Sequence, residues 1–170
     1  QQVTGGDWLV RDVIDYCPVR RELILQTMGR DKTISPYYKD ICKVNIDTGE
    51  LRELITGNCD HYIHQHYDVA SFRCAVFGAA GYRGFNGSSP KCDYIVLTRS
   101  RIDTVPESIL IDRNGREILS LETCDISGLP ADWSWPIPVK TMAADEETDI
   151  YGAVFLPPGY TNDQSYPVID

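Results

Sequence analysis

Every histidine of the chain falls within seven residues, Asp60-His61-Tyr62-Ile63-His64-Gln65-His66, and imidazoles this close could hold a metal ion. On a strand, His64 and His66 share a face while His61 points the other way. Asp60 or Asp68 would be a further oxygen ligand. A closed zinc site takes four ligands, and a strand without a bend does not bring even three to one face. The cluster therefore reads as the polar side of a strand, and neither a metal nor any other cofactor is expected.

Serine-nucleophile chemistry would need a G-x-S-x-G turn between a strand and a helix, and no such motif occurs. The nearest imitation, Gly87-Ser88-Ser89-Pro90, has no strand feeding it and no helix after it, so it reads as a loop. Trp133 and Trp135 could stack on a sugar or a peptide. The alternative, preferred here, is that two large rings with polar tips pin a linker at a half-buried junction. Asp145-Glu146-Glu147 is a solvated turn, since a calcium loop needs more oxygen ligands at tighter spacing. Six cysteines, at 17, 42, 59, 74, 92 and 124, include no C-x-x-C pair. Cys74 and Cys92 bracket a glycine-rich stretch and are the one pair nominated for a disulfide. Most of the others read as small buried hydrophobes.

The elements that would position these residues form a repeat. Trp8-Leu9-Val10, Glu22–Met28, Tyr38–Ile46 and Leu51–Ile55 read as four strands, the last two joined by Asp47-Thr48-Gly49-Glu50. His61–Tyr67, Asp93–Thr98, Glu107–Ile111 and Arg116–Leu121 repeat the layout, the last two joined by Asp112-Arg113-Asn114-Gly115. Asn114-Gly115 suggests a type I′ hairpin turn with φ > 0 at both residues. Gly49 and Gly115 lie 66 residues apart, and Cys59 and Cys124 lie 65 apart. Two four-stranded units at a fixed period point to β-propeller blades, each burying a face only against its neighbour. The stretch Gly78–Lys91 reads as a surface insertion in the second unit, mobile and of little functional weight. Alternation in Cys42, Val44 and Ile46 against Lys43 and Asn45 suggests a strand with one wet face. Ile95 and Leu97 oppose Tyr94 and Val96, which suits a strand covered on both sides. No sustained helical periodicity is present.

From Ile126 to Pro138 three prolines and two tryptophans replace the strand pattern, which predicts an extended linker with a domain boundary near Pro138. Lys140–Ala144 and Asp149–Leu156 then read as a hairpin around the acidic turn. Pro157-Pro158-Gly159 stops the second strand, and Tyr166–Asp170 reads as the start of another. A core strand is not expected to end on Val168-Ile169-Asp170, so the sequence reads as a piece cut at its C-terminus.

Glu147-Thr148-Asp149-Ile150-Tyr151-Gly152, Pro157-Pro158-Gly159-Tyr160 and Tyr166-Pro167-Val168-Ile169-Asp170 resemble the opening of the peptidase domain in the prolyl oligopeptidase family. The likeness is greatest to its dipeptidyl-peptidase-IV-like branch, although Glu stands where that family often has a turn Gly. The resemblance implies an all-β chain: about two four-stranded propeller blades over 1–138, including the linker 126–138, then the first β-strands of a truncated α/β-hydrolase domain over 139–170. It implies a parent serine exopeptidase that cuts dipeptides from peptide N-termini, with the propeller gating and binding substrate. It also places the nucleophile elbow, both triad partners and an oxyanion-hole tyrosine beyond Asp170, and the amine-binding acidic pair before Gln1. No catalytic residue is therefore expected within the chain, and no substrate-binding residue can be assigned. Implied partners are peptide substrates, the remaining propeller and hydrolase segments, and a second copy through open sheet edges. The rival reading is a stand-alone, non-enzymatic β-repeat binding module; a metal-sensing domain built on the histidines is a distant third.

Composition bounds these readings. With 42% hydrophobic and 24% charged residues in 170, the chain belongs among ordinary folded domains, not disordered ones. A net charge of -9 and a pI near 4.7 argue against nucleic acid, which needs a basic stripe. No uncharged run approaches the roughly 20 residues that span a bilayer. Gln1–Gly6 shows neither the basic start nor the apolar core of a signal peptide. Six cysteines are many for a cytosolic fragment and few for a disulfide scaffold.

Overall fold

The computed structural model describes residues 2–63, 89 and 93–169, and the chain over them is all-β, with no helix. Among the described residues, ten strands form three antiparallel sheets. β1 (Leu9–Cys17), β2 (Glu22–Met28), β3 (Lys39–Asn45) and β4 (Leu51–Ile55) make a meander in sequence order. β5 (Asp60–Tyr62), β6 (Tyr94–Arg101), β7 (Thr104–Asp112) and β8 (Glu117–Thr123) repeat it. β9 (Ile137–Met142) and β10 (Asp149–Val154) pair as a separate hairpin. The chain divides into two compact units: Gln1–Arg101 with Pro106–Cys124, and Ile102–Val105 with Asp125–Asp170.

The first unit is held by one apolar core. Ile14, Ile24, Ile41 and Leu54 of the first sheet pack with Ile63, Ile95, Leu97, Ile109 and Ile111. Seven of these nine are isoleucines, whose β-branched side chains suit a pleated, covered surface. At about 1.5–3 kcal/mol for each fully buried aliphatic side chain, this core is the main favourable term for the unit. β1 reaches far beyond Trp8–Val10, because Arg11, Asp12 and Asp15 interrupt its apolar pattern. Register shifts after Val10 and Val13 bend it so that Ile14 still enters the core.

Several expectations need correction. β3 has no wet face: Lys43 is 5% exposed, and Cys42 and Val44 are fully buried. Lys43 lies on the same side as the core residue Ile41, and its Nζ donates to the Arg113 carbonyl, 3.0 Å away. On β6, Ile95 and Leu97 are buried but Tyr94 is half exposed, so its two sides are unequal. The β7–β8 turn is not type I′. Only Gly115 has positive φ (85°), Asp112 Oδ1 accepts from the Asn114 and Arg116 amides, and Gly115 N donates to Asp112 O. That is a wider turn with glycine in the left-handed position. A Cβ at Gly115 would overlap the Leu54 carbonyl, so glycine is needed for close approach as well as for its φ.

In the second unit, residues 126–136 turn twice instead of running extended, closed by Leu129 N to Ile126 O and Trp133 N to Pro130 O. β9 begins at Ile137, and Pro138 lies opposite Ala153 in this two-stranded sheet. Residues 166–169 form no strand: Pro167 has no N–H to donate, none of the described strands lies alongside, and Val168 and Ile169 are 92% and 95% exposed. Tyr166 instead folds back, its hydroxyl accepting from Thr161 N and its ring 5.0 Å from that of Tyr160.

Candidate functional site

His61 sits on the short β5, and its side chain is 2% exposed. Its Nδ1 lies 2.9 Å from the Lys39 carbonyl. A carbonyl only accepts, so Nδ1 carries the proton and Nε2 is left as the acceptor. Cys59 Sγ, 3.4 Å from Nε2, then points its S–H at that lone pair. Around this pair, Gln26 Nε2 donates to the His61 carbonyl, and Asp60 receives both the amide and the ammonium of Lys39 at 2.9 and 2.7 Å. Asp40 completes the group, its Oδ1 buried, without a hydrogen bond, and 3.9 Å from Nδ1.

Cysteine, histidine and aspartate in sequence could suggest a thiol nucleophile, but burial works against it. Burial pushes the Cys59 thiol up and the His61 imidazole down, which disfavours the charged forms that thiolate chemistry needs. Burial also raises the Asp40 carboxyl to about 6, against the pull of Arg30 and of the Gly57 amide. The Cys59–His61 pair is a polar rivet between β3 and β5, flanked by the Lys39–Asp60 ion pair. Among the described residues no three His, Cys, Asp or Glu side chains form a metal-holding group. His64, His66 and Asp68 lie outside the described residues, as do Cys74, Cys92 and all of Gly78–Lys91 except Ser89.

Ser89 Oγ accepts from the amides of Asp93 and Tyr94, while its own N donates to Tyr94 O. This hydroxyl orders the start of β6, a structural task. Cys17, Cys42, Cys59 and Cys124 remain thiols. Cys17 and Cys42 are buried, but Cys59 is only partly covered and Cys124 is exposed, so burial does not describe all four. Asp145 makes the acidic turn an Asx turn: its carboxylate accepts from the amides of Glu147 and Thr148 and from the Thr148 hydroxyl. Those bonds, the Thr148 hydroxyl foremost, hold its carboxyl at about 2.

Trp133 and Trp135 meet edge to face with ring centroids 4.7 Å apart. Trp133 also lines a small apolar cleft of about 170 Å³ with Pro136, Phe155, Leu156 and Pro158. The last three were legible only as the end of a strand, because nothing in their spacing marks a shared cleft with a residue twenty positions upstream. A second cavity, of about 210 Å³, is polar and basic, with Lys43, Arg52 and Arg113 on its wall. Sequence reasoning missed it because Lys43 read as a solvent-facing residue.

No protein-family model and no curated protein matches the chain. A solved structure does resemble it: the crystal structure of a "putative dipeptidyl aminopeptidase IV" from Bacteroides ovatus ATCC 8483, with a TM-score of 0.68 at 18% identity. The similarity covers 98% of this chain and 20% of that one. At this identity the likeness is one of fold, and the chain spans about a fifth of that protein's length.

Proposed function

We propose that the chain is part of a serine exopeptidase of the dipeptidyl-peptidase-IV-like branch of the prolyl oligopeptidase family. In this reading β1–β8 are two propeller blades that help gate and bind peptide substrate, residues 126–138 lead out of them, and 139–170 open the peptidase domain. The observation that supports it is the fold likeness across 98% of the chain to a "putative dipeptidyl aminopeptidase IV". The Pro157-Pro158-Gly159-Tyr160 and Tyr166–Asp170 motifs agree with it independently, standing where the resemblance puts the start of the peptidase domain. The chain carries no G-x-S-x-G, so the attacking serine belongs to another part of such an enzyme.

The 170-residue chain alone is expected to leave a chromogenic Gly-Pro anilide at its spontaneous rate of hydrolysis. Without a nucleophile, residual acceleration would come only from binding and oxyanion donors. Turnover that a serine-directed fluorophosphonate blocks would overturn this assignment. The rival binding-module reading draws support from the core of nine residues that the two sheets share. It would be favoured by a monomer with a cooperative melt independent of concentration.

A further inference from the structure

Lys43 is the most deeply buried cation described in the chain, and its counter-charge is incomplete. Its ammonium has three protons to donate and one acceptor among the described residues, the Arg113 carbonyl. Arg113 is no better served: its Nε is buried without a partner, and its Nη2 reaches Glu22 only at 3.4 Å. The other carboxylate on the cavity wall, Glu50, is engaged by Arg52, whose Nε and Nη2 lie 2.8 and 2.6 Å from Oε1. Lys43 is buried and Arg113 is about a third exposed, and the one carboxylate on the wall that Arg52 does not engage, Glu22, lies at 3.4 Å from Arg113. Buried charges without pairing are costly, and this positive concentration occurs in a chain of net charge -9. Burial depresses the Lys43 pKa against the pull of Glu22, and the guanidinium groups of Arg113, Arg52 and Arg20 add to the depression.

The cavity these groups face has a volume of about 210 Å³, well above the roughly 30 Å³ of a water, and Asn45 and Asn114 also line it. Ammonium and guanidinium groups converging on such a space match the several acceptor oxygens of a compact anion. We infer that this cavity is a binding site for a small oxyanion, phosphate or carboxylate in type, which supplies the negative charge that Lys43 and Arg113 lack. The inference uses only the first compact unit and is independent of the peptidase assignment.

Thermal melts of the 170-residue chain in phosphate, acetate or chloride at one ionic strength provide the test. Phosphate or acetate should raise Tm saturably while chloride does not, and whichever acts identifies the oxyanion. Arg52 is 63% exposed, so Arg52→Gln should fold normally and weaken the midpoint of that response about tenfold. Lys43→Met, of similar length, should melt at or above the wild type in anion-free buffer and lose the response. Equal behaviour in all three salts would overturn the site, as would a saturable response left intact in Arg52→Gln. Phosphorus NMR line broadening, present with the wild type and reduced with Arg52→Gln, is a readout that does not depend on melting.

Discussion

A single buried carboxyl sets a testable pH signature. Asp40 has a folded pKa of about 6 against an ordinary 3.8, chiefly because burial disfavours its charge. The folded state holds that proton more tightly than the unfolded chain does. Its stabilising effect is therefore complete below about 3.8 and lost as pH rises through about 6. The difference is worth on the order of 2–3 kcal/mol at 1.36 kcal/mol per pKa unit. Asp40→Asn should therefore gain stability relative to the wild type as pH is raised from 4 to 8, measured by urea denaturation at each pH. The depressed pKa values of His61, Asp112 and Asp145 act in the opposite sense, so the difference between the two proteins is the quantity to follow. A constant difference across that range would mean that the folded state holds the Asp40 proton no more tightly than the unfolded chain does. None of this was legible in the sequence, where Asp40 is one acid among 25 and its burial depends on β5 meeting β3.

At the scale of elements, strands whose apolar residues run unbroken were legible: β2 and β4 have the bounds their residues suggest. β1 was not, because charges hide its pattern and two bulges restore its inward face only in three dimensions. The terminal Tyr166–Ile169 failed for the opposite reason, since β propensity without a partner strand makes no strand. Turn glycines were easy to locate but their environments were not, and two of them separate the causes. Gly29 (φ 71°) has open space where a Cβ would stand, whereas Gly115 (φ 85°) abuts the Leu54 carbonyl. Gly29→Ala should cost only about 1–2 kcal/mol of left-handed backbone strain. Gly115→Ala adds a steric clash against main chain and should cost roughly twice that or more. Equal losses in chemical denaturation would mean that the turn and β4 do not touch as described.

For the molecule as a whole, charge and exposed apolar surface are unevenly distributed. Residues 125–170 hold eight acids against one lysine, so most of the net charge of -9 belongs to that stretch. All seven residues of β8, including Ile118, Leu119 and Leu121, are exposed, and among the described residues only β7 lies beside it. An open edge with apolar side chains invites strand addition. The acidic charge opposes this, but only over a Debye length of about 8 Å at physiological salt. Light scattering over a concentration series should show mass above the monomer's 19.2 kDa, increasing with salt. Ile118→Lys with Leu121→Lys should return it to the monomer. A monomer at every concentration in the unmodified chain would remove the case for β8 as an association edge. The repeat of two four-stranded sheets was visible from glycine spacing. That they share a core of nine residues was not, because the spacing records turns and not the facing of side chains.

The three tryptophans provide optical reporters for different parts of the chain. Trp8 lies in the first unit with the Arg30 guanidinium 5.4 Å from its ring centre, while Trp133 and Trp135 lie in the second. Indoles 4.7 Å apart couple their transitions, so the pair should give a circular-dichroism couplet that an isolated tryptophan lacks. Trp8→Phe should leave the couplet intact and make tryptophan emission specific to the second unit. Trp133→Phe with Trp135→Phe should abolish the couplet and leave Trp8 alone to report on the first. With those two variants, the melting of each unit can be followed separately within one unlabelled chain.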